Sequence, residues 1–331
     1  MVTPTPALPI ISIAPYLPAT YADYSDADRA AVAAQFHAAC RDVGFLYLNV
    51  EGFLLKDDMD EVLTLGTEFF ERPQEEKEKI HIGSMDGARG YQRYGENITQ
   101  GKADHHEGLD LYAANPYEAV EAGAKPRPLQ GDNQYPKTPA GLQPALEAWV
   151  DKMHVLGEAV MHAMALGLGM DEAEWKAFWK LSNKSFWSMR LIGYPPLPPN
   201  ADGRSCGEHK DYGNLTFLHT DSTPDALQVL SRSGEWINAN PVPGCVVVNI
   251  GAMWDKWTGG MYPATLHRVI HKAPTYRVSL PFFFEPNFDS NITLLDAAKR
   301  TAAKEGIELV PEPDVLYGDY LLGKVSGNFK Y

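Results

Sequence analysis

Cysteine is scarce. Cys40, Cys206 and Cys245 are odd in number and widely scattered over 331 residues. A disulfide framework is therefore excluded as the organising device, and reduced thiols in a cytoplasmic setting are expected. No stretch of about 18 uninterrupted apolar residues occurs, so no transmembrane helix is expected. Met1 to Pro18 carries four prolines ahead of Tyr16 and no basic residue before its apolar run, which is not the pattern of a signal peptide. Positive charge is short as well: 29 Lys and Arg against 43 Asp and Glu leave a formal charge of −14. That balance argues against a nucleic-acid backbone or an anionic membrane as partner. A small anionic substrate stays compatible, because local basic residues override the global field. Internal repeats and low-complexity tracts are also missing. With 44% hydrophobic and 22% charged residues the composition is that of an ordinary globular chain, long enough to bury a large core.

What is present falls into two textures. Pro9 to Ile13 reads as a short buried strand. Ser25 reads as an N-cap, with Asp26 and Asp28 in the first turn of a helix that passes Phe36 and Cys40 and stops near Gly44. Phe45 to Val50 is a strand, and a second helix over Asp57 to Phe70 ends before Arg72-Pro73. Glycines then break every period between Gly83 and Gly108. Asp104-His105-His106-Glu107 within that stretch reads as surface polar residues, with a lid or substrate loop as the functional alternative. Asn115 to Pro139 reads as a long surface connection. A helix over Ala140 to Leu166 carries Leu142, Leu146, Trp149, Met153, Leu156 and Val160 on one stripe, and another spans Glu172 to Leu181. From Ser185 short strands recur: Phe186–Tyr194, Leu215–His219, Leu227–Leu230, Trp236–Ala239, Val246–Ile250, Thr265–His271 and Arg277–Glu285. Punctuated by turns, these predict a sandwich or barrel, eight strands forming a jelly roll. Pro311 to Tyr331 reads as a helix and an aromatic tail. The expected class is α+β: a double-stranded β-helix (jelly-roll, cupin-like) core with a helical N-terminal half packed on it. The parts are 1–184, 185–290 and 291–331, one integrated unit because no flexible linker separates them.

The chemistry concentrates between Gly207 and Ser279. In Gly207-Glu208-His209-Lys210-Asp211-Tyr212-Gly213, an extended backbone would point His209 and Asp211 the same way. His267 follows in Leu266-His267-Arg268-Val269. Ten residues later Arg277-Val278-Ser279 again puts alternate residues on one face. Two imidazoles and a carboxylate form a 2-His-1-carboxylate triad, the pattern of non-haem Fe(II) oxygenases. Spacing alone leaves rivals: His219-Thr220-Asp221 is a second pair of this kind, and His271 competes with His267.

These motifs, in this order, resemble the isopenicillin N synthase-like family of Fe(II)/2-oxoglutarate-dependent dioxygenases. Gly207 to Thr216, Asp221 followed by Leu227-Gln228-Val229, Leu266 to Val269 and Arg277 to Ser279 match its core. Leu191 to Pro196, Phe282 to Asn287, Val43-Gly44-Phe45 and Arg89-Gly90-Tyr91 extend the likeness over nearly the whole chain. The resemblance implies His209, Asp211 and His267 as iron ligands, leaving His219, Asp221 and His271 structural, and Lys210 turned away from the metal. It implies Fe(II), O2 and 2-oxoglutarate as cosubstrate, with ascorbate as reductant. Arg277 would hold the distal carboxylate of 2-oxoglutarate in a planar fork, helped by Ser279 and Tyr194. Ile192 stands where plant members often carry Asn, so one cosubstrate hydrogen bond is either missing or supplied elsewhere. Arg190, on the Tyr194 face, is a candidate for substrate or cosubstrate, or for a structural ion pair. Arg89, Tyr91, Arg93, Tyr94 and Phe283 are substrate-pocket candidates.

The implied reaction couples decarboxylation of 2-oxoglutarate to succinate and CO2 with oxidation of an unactivated C–H bond of a small molecule, by hydroxylation, desaturation or cyclisation. Two other readings compete. One is an Fe(II) oxidase of the same fold without 2-oxoglutarate, like isopenicillin N synthase or the aminocyclopropane-carboxylate oxidases. The chain ends Asn328-Phe329-Lys330-Tyr331, without the glutamine-containing tail of the former. The other is a non-catalytic metal-binding jelly roll, which would have no use for Arg277 and Ser279.

Overall fold

The computed structural model describes residues 8–84, 86–114, 129–197 and 204–328. Most of the expected connection from Asn115 to Pro139 and the aromatic tail after Asn328 lie outside them. Strand β1 (Ile10–Ser12) lies at an edge rather than in the core: Ile11 is buried while Ile10 is 56% exposed. Helix α1 (Asp26–Asp42) starts as its sequence demands. The Ser25 hydroxyl accepts from the Asp28 N–H and the Asp28 carboxylate accepts from the Ser25 N–H, a reciprocal cap worth about 1 kcal/mol. Strand β2 (Phe45–Asn49), helix α2 (Lys56–Phe70) and the single turn α3 (Gln74–Lys77) follow.

The glycine-rich stretch is not irregular throughout. It holds β3 (Gly90–Gln92), the small hairpin β4 (Ile98–Thr99) and β5 (Lys102–Ala103), and β6 (Glu107–Tyr112). Helix α4 (Leu142–Gly167) buries all six residues of its predicted stripe, and α5 (Glu172–Trp179) packs beside it. The strand-rich half comprises β7 (Ser188–Tyr194), β8 (Cys206–His209), β9 (Leu215–Thr220), β10 (Leu227–Leu230), β11 (Trp236–Asn238) and β12 (Cys245–Ile250). After α6 (Ala252–Thr258) come β13 (His267–Val269), β14 (Arg277–Phe284) and β15 (Asn291–Ile292). Helix α7 (Asp296–Glu305), β16 (Val315–Leu316) and α8 (Tyr317–Asn328) close the chain.

Two sheets face each other as a jelly roll. The larger runs β1-β2-β12-β9-β14-β7-β6-β3 and the smaller β11-β10-β13-β8. Every pairing is antiparallel except β1 with β2. Four of the eight strands in the larger sheet, β1, β2, β3 and β6, precede residue 185, so the helical half also builds the sheet. Period two assigns the faces. Leu191, Leu280, Phe282 and Phe284 join the main core, where α2 and α4 pack on β14. Phe45, Tyr47, Ile192, Tyr194, Val229, Val247 and Val269 form a second apolar cluster between the sheets. That inner cluster floors the site.

Candidate active site

His209 ends β8 and His267 opens β13, and the two are register partners across the smaller sheet. Their ring centroids lie 4.2 Å apart. Asp211 lies two residues past the end of β8, not within the strand as the alternation argument assumed. The loop nevertheless turns its carboxylate inward: Oδ1 is 3.5 Å from His209 Nε2 and 3.6 Å from His267 Nε2. The three ligand atoms lie within 4.8 Å of one another, the one such group of His, Cys, Asp and Glu among the described residues. Lys210, between the pair, is exposed.

The surrounding hydrogen bonds fix each ligand. His209 Nδ1 meets the Gly207 carbonyl at 2.8 Å and His267 Nδ1 the Thr265 carbonyl at 3.1 Å. A carbonyl only accepts, so Nδ1 carries the proton and the Nε2 lone pair faces the centre. Asp211 Oδ2 accepts from Asn249 Nδ2 at 2.7 Å and from the Thr216 hydroxyl, leaving Oδ1 to the centre. Burial opposes ionisation of Asp211, but His267, His209 and these two donors overcome it and hold its pKa below the usual carboxylate range. Burial is the main cause that pushes His267 down to about 4, which keeps this imidazole neutral and its Nε2 able to bind a metal. This donor set suits Fe(II). The His209 side chain is 32% exposed, against 9% for His267 and 5% for Asp211, so the centre opens on the His209 side.

Gly213 is required by the same loop. A Cβ there would sit 1.2 Å from Glu285 Oε2, and the Glu285 carboxylate accepts the Asn214 N–H at 3.2 Å. Glu285 is itself buried, and burial raises its pKa to about 8.

Across the interior, Arg277 opens β14 opposite Tyr194 on β7, and Ser279 lies opposite Ile192. Arg277 is 1% exposed, with its guanidinium 4.8 Å from the Tyr194 ring centroid. Its Nε and Nη1 have no partner among the described residues. Burial pushes the Tyr194 hydroxyl up to about 12, partly offset by Arg277 and a hydrogen bond with Ser279, so it stays a donor at neutral pH. A buried cation with two nitrogens unpartnered among the described residues, beside two hydroxyls, suits an anionic oxygen ligand such as a carboxylate.

The remaining candidates separate. Phe283 alternates with Arg277 and Ser279 on β14 and is half-buried beside Thr216 and Ser188, on the interior face. Arg190 shares that interior but is ion-paired: Nε to Asp110 Oδ1 at 2.6 Å and Nη2 to Gln92 Oε1 at 2.8 Å. The other four are not brought to the centre. Arg89 is buried against Asp86 at 2.6 Å and the Ala113 carbonyl at 2.7 Å. Tyr91 points to the opposite face of β3, toward Phe69, with its hydroxyl on Glu107 at 2.5 Å. Arg93 pairs with Glu78 and Glu96 at the surface, and Tyr94 is 43% exposed against His105. Charge partners close in sequence or space account for each.

Among the rival ligands, His219 bonds the Met59 carbonyl and stacks on Trp149, His271 bonds the Thr275 carbonyl, and Asp221 accepts the Val278 and Thr223 N–H groups. Sequence reasoning missed Thr216, Asn249, Gln92 and Asp110, and misplaced the Asp104–Glu107 cluster: Asp104, His106 and Glu107 are all buried. The alternation His106-x-Gly108-x-Asp110 was the available signal.

A jelly roll carrying two imidazoles and a carboxylate at its open end, with a buried arginine across the interior, has the architecture of a non-haem Fe(II) oxygenase. Comparison with known proteins agrees. Residues 186–286 match the model of the 2OG-Fe(II) oxygenase superfamily, and residues 8–138 that of the non-haem dioxygenase N-terminal region named for morphine synthesis. A homoarginine-6-hydroxylase of Oryza sativa subsp. japonica is 39% identical over 98% of both chains. One from Arabidopsis thaliana is 38% identical over 92% of this chain and 91% of its own. Among solved structures, a putative 2OG-Fe(II) oxygenase family protein from Caulobacter crescentus superposes with TM-score 0.78 at 26% identity, covering 98% of this chain and 99% of that one. The chain belongs to the 2OG-Fe(II) oxygenase superfamily. It is an oxidoreductase that uses Fe(II), 2-oxoglutarate and O2 to oxidise a small molecule.

Proposed function

We propose that the enzyme hydroxylates a free amino acid of the homoarginine type, with His209, Asp211 and His267 holding Fe(II) and Arg277, Ser279 and Tyr194 holding the distal carboxylate of 2-oxoglutarate. The observation that carries the site assignment is the Arg277 guanidinium, buried, with two unpaired nitrogens, on the interior that the triad closes. The substrate class is supported by 39% identity over 98% of the chain to a homoarginine-6-hydroxylase. Bound Fe(II) supplies O2 activation, coupling decarboxylation of 2-oxoglutarate to C–H oxidation. The chain's own residues do the rest. Thr216 and Asn249 aim the Asp211 carboxylate, the Gly207 and Thr265 carbonyls aim the imidazoles, and the apolar cluster between the sheets keeps water from the reacting atoms. We also place the enzyme in the cytoplasm, on its three free, scattered thiols. No helix among the described residues is long and apolar enough to cross a membrane.

The test is turnover with Fe(II), ascorbate and 2-oxoglutarate against L-homoarginine, L-arginine and L-lysine, following succinate and product mass. Succinate released in step with a product one oxygen heavier supports the reading. Succinate release stimulated by none of the three refutes the amino-acid class.

A further inference from the structure

One polar group beside the centre is unexplained by iron or 2-oxoglutarate. His106 precedes β6 and is 1% exposed. Its Nδ1 meets the Ser205 carbonyl at 2.9 Å, so Nδ1 carries the proton and Nε2 is a bare acceptor. That Nε2 is buried and has no partner among the described residues. Burial and the nearby Arg190 charge lower its pKa to about 4, which keeps the ring neutral. The ring packs edge-on against Tyr194, centroids 5.5 Å apart.

Arg190 reaches the same place from β7. Asp110 pairs with Arg190 in the sheet register, and Gly108 sits between Asp110 and His106 on the interior face of β6. A Cβ on Gly108 would lie 3.7 Å from Arg190 Nη2, so the guanidinium lies over this glycine, toward His106. Its Nε and Nη2 are used by Asp110 and Gln92, while Nη1 has no hydrogen-bond partner among the described residues. The Arg190 side chain is 23% exposed although Asp110 beneath it is only 2% exposed, so part of the arginine is open to a ligand. An acceptor and a cationic donor, each without a partner among the described residues, thus face the same interior on the Tyr194 side.

We infer that His106 and Arg190 read the head group of the substrate, His106 Nε2 accepting an N–H of an α-ammonium and Arg190 Nη1 donating to the adjacent carboxylate. The pairing rests on the amino-acid reading of the substrate and adds the residues that recognise it. Asp110 and Gln92 are positioning residues: they hold the guanidinium near Gly108 and use up its Nε and Nη2, leaving one nitrogen for the ligand. A neutral imidazole suits an ammonium where a charged one would repel it.

The test is anaerobic calorimetry on Fe(II)- and 2-oxoglutarate-loaded enzyme, with L-homoarginine and its desamino analogue, which keeps the carboxylate and lacks the ammonium. Wild type binds homoarginine more tightly, by roughly 10- to 100-fold for one buried hydrogen bond to a charged group. His106→Leu weakens homoarginine by about that factor and leaves the analogue unchanged, so the two converge. His106→Gln, which restores an acceptor, recovers most of the preference. Equal weakening of both ligands by His106→Leu, or equal binding of both by wild type, overturns the inference; the second comparison needs no variant to fold. Wild-type enzyme that binds neither ligand overturns it too. The visible band formed with 2-oxoglutarate involves neither residue and reports separately on the underlying site.

Discussion

Replacing Arg277 by methionine separates a cosubstrate clamp from a structural arginine. The side chain is 1% exposed, and two of its nitrogens, Nε and Nη1, have no partner among the described residues. A carboxylate seated against one of them gains a charge-assisted hydrogen bond worth about 1.5–3 kcal/mol. The expected loss is therefore about 1.5–3 kcal/mol, roughly 10- to 150-fold in 2-oxoglutarate affinity. Methionine fills similar volume with no charge to desolvate, so without cosubstrate the variant is at least as stable as wild type. Thermal melts with and without 2-oxoglutarate, beside a titration of its KM, read both effects. A variant that melts several degrees lower without ligand, yet keeps the full ligand-induced rise and an unchanged KM, would refute the clamp.

Other substitutions test the surroundings. Gly213→Ala puts a methyl 1.2 Å from Glu285 Oε2, and overpacking of at least about 1–3 kcal/mol should lower the melting temperature and weaken iron binding. An unchanged melt would show that the loop yields freely. Arg89→Met strips Asp86 of its buried partner at 2.6 Å, costing about 3–5 kcal/mol of stability in a denaturant titration while leaving substrate KM unchanged; a KM effect without destabilisation would return Arg89 to the pocket. Arg93→Ala removes ion pairs of a side chain 47% exposed, and should change stability by less than about 1 kcal/mol and no kinetic constant.

The legible parts of this site were local. Arg277 and Ser279 share a face because β14 is a regular strand, and Phe283 follows from the same alternation. The Ser25 cap and the α4 stripe were equally readable, since both depend on residues within one or a few turns. What was not legible depends on pairing at long range. Asp110 meets Arg190 from 80 residues away and His106 meets Ser205 from 99, so nothing near Asp104-His105-His106-Glu107 betrays its burial. Arg89 adjoins and Tyr91 lies in a strand that enters the large sheet, yet one is neutralised by Asp86 and the other faces the helices. Asp211 reached the centre by a loop rather than by strand alternation. The three side chains do converge, but not by the backbone geometry that alternation assumes.

The central claim is that one interior holds Fe(II) on His209, Asp211 and His267 and 2-oxoglutarate on Arg277. Anaerobic visible absorption of the Fe(II)-loaded protein, titrated with 2-oxoglutarate, tests it most directly. The account predicts a weak charge-transfer band that saturates in wild type and needs far more 2-oxoglutarate in Arg277→Met. Stoichiometric iron binding with no band at saturating 2-oxoglutarate would contradict it.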